Sequence, residues 1–209
     1  MKTQRNLLRL KQRFNQKLSV YENTFTKVLL VTDPKYPGKQ MIAYCVIELM
    51  NTYRAFNRTL LECSMIGTKT CSGRKISIPG VKTEFDFISA VLPIYKKSVN
   101  TTLSTWNSRD EPAWEADINY LANKLQVKNQ NEINNAFTIS GFYKEVKVFR
   151  NFLCHRSRML FEDVSKISRQ YLITGNSVEK ILLSKKNNGS YLIYDWISQC
   201  RNYADYAAK

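Results

Sequence analysis

The stretch FRNFLCHRSR, Phe149 to Arg158, holds the single histidine of the 209-residue chain, His155. Arg150, Arg156 and Arg158 all lie within five positions of it. These residue types suit phosphodiester chemistry. An imidazole moves protons both ways near neutral pH. A guanidinium is a permanent planar cation that binds phosphate through paired hydrogen bonds and stabilises charge developing on a phosphorane oxygen. An RNA strand supplies its own nucleophile, the ribose 2′-hydroxyl. A base, an acid and a cation then suffice, without a metal. Asn151 stands four residues before His155, one helical turn away, where it can orient the imidazole or hold a phosphate oxygen.

The surrounding segment has to position these groups, and its periodicity is helical. At about 100° per residue, Phe142, Val146, Phe149, Leu153, Leu160, Val164, Ile167 and Tyr171 fall within a sector of about 60°. That predicts one long helix from about Gly141 to Tyr171 with this sector on the core. His155 projects nearly opposite, in a sector with Lys144, Asn151, Glu162 and Lys166, and with Arg158 close by. Lys147, Arg156 and Arg158 add to the positive charge of the segment. Arg150 lies about 140° around the helix from His155, so one helix does not simply bring the two together. A second copy of the helix would complete the group across an interface. Val148 and Phe152 flank His155 in projection although they are apolar. A wide core stripe or a face packed on a partner subunit accounts for them equally.

The same rhythm runs through much of the chain. Leu7, Leu10, Phe14, Leu18, Tyr21, Phe25 and Val28 predict a first helix, ended by Asp33-Pro34 and Pro37-Gly38. Ile42, Val46, Leu49, Tyr53, Phe56 and Leu60 predict a second, stopping near Gly67. TKTCSGRKISIPG reads as a basic loop, and Phe85 to Tyr95 as a shorter helix. SVNTTLSTWNSRDEP is a polar connection. Its Asp110 and Pro112 suit a helix start ahead of the stripe Trp114, Ile118, Leu121 and Leu125. NQNEINNAF is weakly helical. Asn176 and Glu179 have capping-box spacing. Leu192, Trp196, Cys200 and Tyr203 predict a last helix from about Ser190, with a β-hairpin turning at Asn188-Gly189 as the alternative. No repeat and no Pro/Gly/Ser-rich joint is visible. The reading is an all-α chain of about seven helices forming one domain over residues 1–209.

Bulk composition narrows the function. Thirty-two Lys and Arg against seventeen Asp and Glu leave a formal charge of +15, which attracts polyanions, chiefly nucleic acid. Five cysteines without a CxxC pair argue against a disulfide scaffold or a zinc knuckle. The charged N-terminus lacks the apolar run of a signal peptide, and no stretch approaches the ~20 apolar residues that cross a bilayer. The expectation is therefore a cytoplasmic protein without membrane contact. No GxxxxGK[ST], HExxH or GxSxG motif occurs, and one histidine cannot build a two-histidine metal site. The expectation is that no cofactor and no metal is used.

R-N-F-L-C-H, Arg150 to His155, resembles the R-x4-6-H motif of the HEPN superfamily, in which a polar residue, often asparagine, follows the arginine. Here it is Asn151. The resemblance implies an all-α, HEPN-like helical bundle with additional helices: a core over about residues 1–171 and a C-terminal helical extension over 172–209. It implies a metal-independent endoribonuclease, a toxin or phage-defence effector that acts as a homodimer with two motifs facing one cleft. Arg150, His155 and Asn151 would be catalytic, and an antitoxin or defence-system protein would be a further partner. Ser157 stands where members controlled by a nucleotidyltransferase antitoxin often carry tyrosine, a departure that puts that route of control in doubt. IELMNTYRAFNRTLLECSMIG resembles a second core helix of such proteins. Its Asn51, Arg54 and Arg58 form a polar stripe able to contact RNA, or simply a solvated face.

Two other readings use the same residues. A non-catalytic nucleic-acid binder would exploit the charge and the twelve tyrosines for backbone and stacking contacts. A regulatory interaction protein would act only through a partner. Cleavage lost in His155→Ala separates the enzyme from both.

Overall fold

The structure, a computed structural model, describes residues 6–30, 38–95 and 112–209. Among them are nine helices and one two-stranded sheet: α1 (Leu7–Leu29), α2 (Gly38–Ile66), β1 (Thr68–Lys69), β2 (Lys75–Ile76), α3 (Glu84–Tyr95), α4 (Ile118–Lys124), α5 (Gln130–Thr138), α6 (Phe142–His155), α7 (Arg158–Gln170), α8 (Val178–Leu182) and α9 (Leu192–Ala207). The all-α class read from the periodicity is therefore the observed one. No described helix is long and apolar enough to cross a membrane.

The helices gather into two compact units. One comprises Met1–Phe14, Tyr53–Ile139 and Tyr203–Lys209; the other comprises Asn15–Thr52 and Ser140–Asn202. In the first, Tyr53, Phe56 and Leu60 of α2 are buried, as are Phe87 of α3, Ile118 and Leu121 of α4, and Ile133 of α5. The rings of Tyr53 and Tyr203 meet edge to face at 5.0 Å. Arg54 ion-pairs with Glu115 at 3.1 Å, and Arg58 with Glu84 at 2.9 Å.

The second unit contains α6. Leu18, Tyr21, Phe25 and Val28 of α1 are buried there, with Ile42, Val46 and Leu49 of α2 and Leu192, Trp196, Ile197 and Cys200 of α9. Residues 172–209 thus supply a helix central to this core. Arg201 of α9 donates to Glu22 of α1 at 2.6 Å, and Tyr21 exchanges a hydrogen bond with Thr52 at 2.7 Å.

Several local expectations change. The basic loop after α2 is a small antiparallel ladder with Thr68 opposite Ile76. Gly73, at φ +86, turns the chain in a conformation that glycine adopts without steric cost. The start expected at Asp110 lies outside the described residues, and α4 begins later, at Ile118, where Asp117 accepts from the Ala113 N–H at 2.9 Å and from the Tyr95 hydroxyl. The weakly helical NQNEINNAF segment forms α5. The cap of α8 is Ser177, whose Oγ accepts from the Lys180 N–H at 3.2 Å, and not Asn176. Before α9, a bridge between Lys185 and Tyr191 folds the chain back at Asn188-Gly189, so the hairpin turn and the last helix both occur, in succession.

The largest correction concerns the motif segment. It is two helices, not one from Gly141 to Tyr171. Helix α6 ends at His155. Arg156 takes the left-handed conformation, φ 46 and ψ 42, and its N–H donates to the Phe152 carbonyl at 2.7 Å. This is a left-handed C-cap closing one orphan carbonyl. Ser157 then extends, φ −90 and ψ 154, and caps α7 by accepting from the Leu160 N–H at 3.3 Å.

Candidate functional site

Helix α6 holds its polar residues on a fixed apolar base. Phe142, Val146, Phe149 and Leu153 recur every three or four positions and are all buried, as an amphipathic helix requires. Phe149 meets Trp196 of α9 edge to face at 5.2 Å, a geometry that adds to the area term. Glu145 ties the helix down at a second point. It accepts from the Trp196 Nε1–H at 2.8 Å and from the Tyr171 hydroxyl at 2.6 Å. Burial, and then the hydrogen bond to Glu145, push the Tyr171 hydroxyl well above the usual phenol range, so it stays a donor at any physiological pH. The Lys186 ammonium sits 4.2 Å over the Tyr171 ring.

The opposite face carries the candidate residues. Lys144, Lys147, Cys154 and His155 are exposed, and Arg150 and Asn151 are half-buried. The Arg150 Nη1 donates to Asn151 Oδ1 at 3.2 Å. This bond matters because the projection separates Arg150 from His155 by about 140°. A guanidinium turned onto Asn151 reaches toward the face on which Asn151 and His155 are one turn apart. His155, as the last residue of α6, is exposed at the end of the helix, just before its left-handed cap.

The break redistributes the remaining basic residues. Glu162 and Lys166 belong to α7 and do not share a helical face with His155, as a continuous helix required. Arg156 and Arg158 instead flank the turn itself, both exposed. Arg158 is 92% exposed and lies 3.5 Å from Glu162, a loose pair of little energetic weight. The first turn of α7 carries no acidic residue, so nothing on that turn offsets the two arginines. Phe152 has a plain account: its ring packs on Phe161 of α7 at 5.7 Å, so this apolar residue serves the α6–α7 contact. Arg54 and Arg58 belong to the first unit, where each sits on a carboxylate, Glu115 and Glu84.

Beside the turn is a cleft of about 440 Å³, walled in part by Phe152, Phe161, Arg156, Arg158, Asn176 and Glu179. The sequence signalled Asn176 and Glu179 only as a capping pair. Their place in the cleft depends on the chain returning at α8, which no local pattern encodes. No three potential metal-ligating side chains cluster among the described residues.

An all-α chain with a basic, histidine-bearing helix end is what the fold and the site define together. The chain matches no protein-family model, and it has no significant match among the curated proteins or the solved structures.

Proposed function

We propose that the chain is a metal-independent endoribonuclease of the HEPN type, a toxin or phage-defence effector. The reading is carried by one observation: the Arg150 guanidinium bonded to Asn151, one turn from the exposed His155 at the end of α6. In the proposed step the ribose 2′-oxygen bonds to the adjacent phosphorus and the bond from phosphorus to the 5′-oxygen breaks. This leaves a 2′,3′-cyclic phosphate and a free 5′-hydroxyl. The His155 imidazole takes the 2′-hydroxyl proton. The departing 5′-oxygen takes a proton from solvent or from His155 of the partner subunit. Arg150 holds the charge that develops on the non-bridging oxygens, and Asn151 fixes its direction. Arg156, Arg158, Lys144 and Lys147 hold flanking phosphates. Two α6 helices facing each other bring an Arg150 and a His155 from different copies to one phosphate, which answers their angular separation on a single helix.

The test is incubation of the purified chain with tRNA and mRNA in EDTA. Cleavage to cyclic-phosphate ends is expected, falling about 10²- to 10⁴-fold in His155→Ala, the usual weight of a general acid–base group. Salt-sensitive RNA binding with no cleavage by the wild type would make the chain a binder and end the nuclease reading.

A further inference from the structure

We infer that the cleft beside the motif turn is a base-recognition subsite for guanine, placed to seat a nucleotide of the RNA strand next to the scissile phosphate. This rests on the reading above for the source of the base, but the recognition chemistry comes from the cleft alone. Its volume of about 440 Å³ lies in the range of small-ligand sites. Phe152 and Phe161, both half-buried with ring centroids 5.7 Å apart, form an apolar wall of the cleft. Every base has a π-face, so stacking here is indifferent to sequence. Discrimination comes from the polar wall. Glu179 is half-buried there, and neither it nor Asn176 has a hydrogen-bond or ion-pair partner for its side chain among the described residues. Ser177, between them, is already committed to the Lys180 N–H.

A carboxylate only accepts hydrogen bonds. Guanine is the one common base whose Watson–Crick edge offers two adjacent donors, N1–H and the N2 amino group. Adenine and cytosine offer one donor beside an acceptor, and uracil one donor between two carbonyls; each sets a lone pair against the second carboxylate oxygen. The Asn176 amide, donor and acceptor both, can supplement the contact from outside. Arg156 and Arg158 are positioned for the phosphate. Phe152 and Arg156 stand within three residues of His155 in the chain, so a base in the cleft and a phosphate at the turn belong to one strand.

The experiment measures binding apart from cleavage. GMP, AMP, CMP and UMP are titrated by calorimetry into the full chain and into His155→Ala, Glu179→Ala and Arg158→Ala, and the cut sites of the wild type are mapped on an RNA of mixed sequence. GMP is expected to bind about tenfold or more tighter than the others, the weight of one charge-assisted hydrogen-bond pair. That preference should survive in His155→Ala and in Arg158→Ala, where all four nucleotides weaken together, and should vanish in Glu179→Ala. Equal binding of the four nucleotides, or an unchanged preference in Glu179→Ala, overturns the inference whether or not RNA is cut. Cuts without bias toward a neighbouring guanine overturn the seating of an RNA base, even if free GMP binds. Guanine preference in a protein that cuts no RNA supports the subsite and removes only the nuclease reading.

Discussion

The break between α6 and α7 is the feature on which the site geometry depends, and Arg158→Pro tests it with a large margin. Arg158 is the first residue of α7. Proline is accepted at that position, because its missing N–H would have no intrahelical partner and its φ is already helical. The preceding residue must be extended, and Ser157 is, at φ −90 and ψ 154. The lost side chain costs little. It is 92% exposed and its contact with Glu162 is 3.5 Å, which as an exposed i,i+4 pair is worth about 0.3 kcal/mol. Restricting the unfolded chain returns about 0.4–1 kcal/mol. The net change is therefore between about zero and a gain of ~0.7 kcal/mol. In a chain of this length each kcal/mol moves the melting midpoint by about 2–4 °C. Thermal unfolding followed by circular dichroism should show a midpoint unchanged or raised by up to ~3 °C. A helix running unbroken through residue 158 predicts the opposite. There, proline would lose a hydrogen bond and clash with the preceding turn, at about 3 kcal/mol or more, and lower the midpoint by roughly 6–12 °C. A fall of that size would refute the break, and with it the placement of His155 at a helix end and of Arg156 and Arg158 at the turn.

The cap gives an independent sign test: Ser157→Ala should destabilise the chain by about 0.5–1 kcal/mol in urea titration, the low end for an N-cap given its 3.3 Å bond, whereas in an unbroken helix alanine would stabilise. Alkaline pH should weaken the fold. Burial pushes the Cys45 thiol up to about 11, and it raises the Cys200 thiol and the Tyr171 hydroxyl above their usual ranges as well. These groups are neutral in both states at pH 7. As pH rises past 9 the unfolded forms ionise first, so the unfolded state binds fewer protons and stability falls. For Cys45 that fall runs from about 9 to about 11, and a melting midpoint flat across this window would contradict the burial of these groups.

Some of this was legible in the sequence, and some was not, for a physical reason. The core face of α6 was readable because Phe142, Val146, Phe149 and Leu153 carry the full period. The candidate residues Arg150, Asn151 and His155 could be picked out because they are near in sequence as well as in chemistry. The polar stripe of Arg54 and Arg58 was readable from its spacing, but the carboxylates they pair with, Glu115 and Glu84, were not, because these are distant in the chain and carry no local mark. The break went unread for a subtler reason. Leu153 and Leu160 are seven residues apart, and two helical turns return a side chain to nearly the same direction. The hydrophobic phase therefore matches on both sides of the turn whether the helix continues or stops, and periodicity alone cannot see an interruption of that length. What the period does show is a gap. A continuous core stripe would carry an apolar residue at 156 or 157, and the chain has arginine and serine there. Serine is a preferred N-cap, and the arginine beside it takes the left-handed C-cap conformation between two helices that pack on each other at Phe152 and Phe161. The missing apolar residue, rather than any residue present, was the local sign that the chain turns where its only histidine stands.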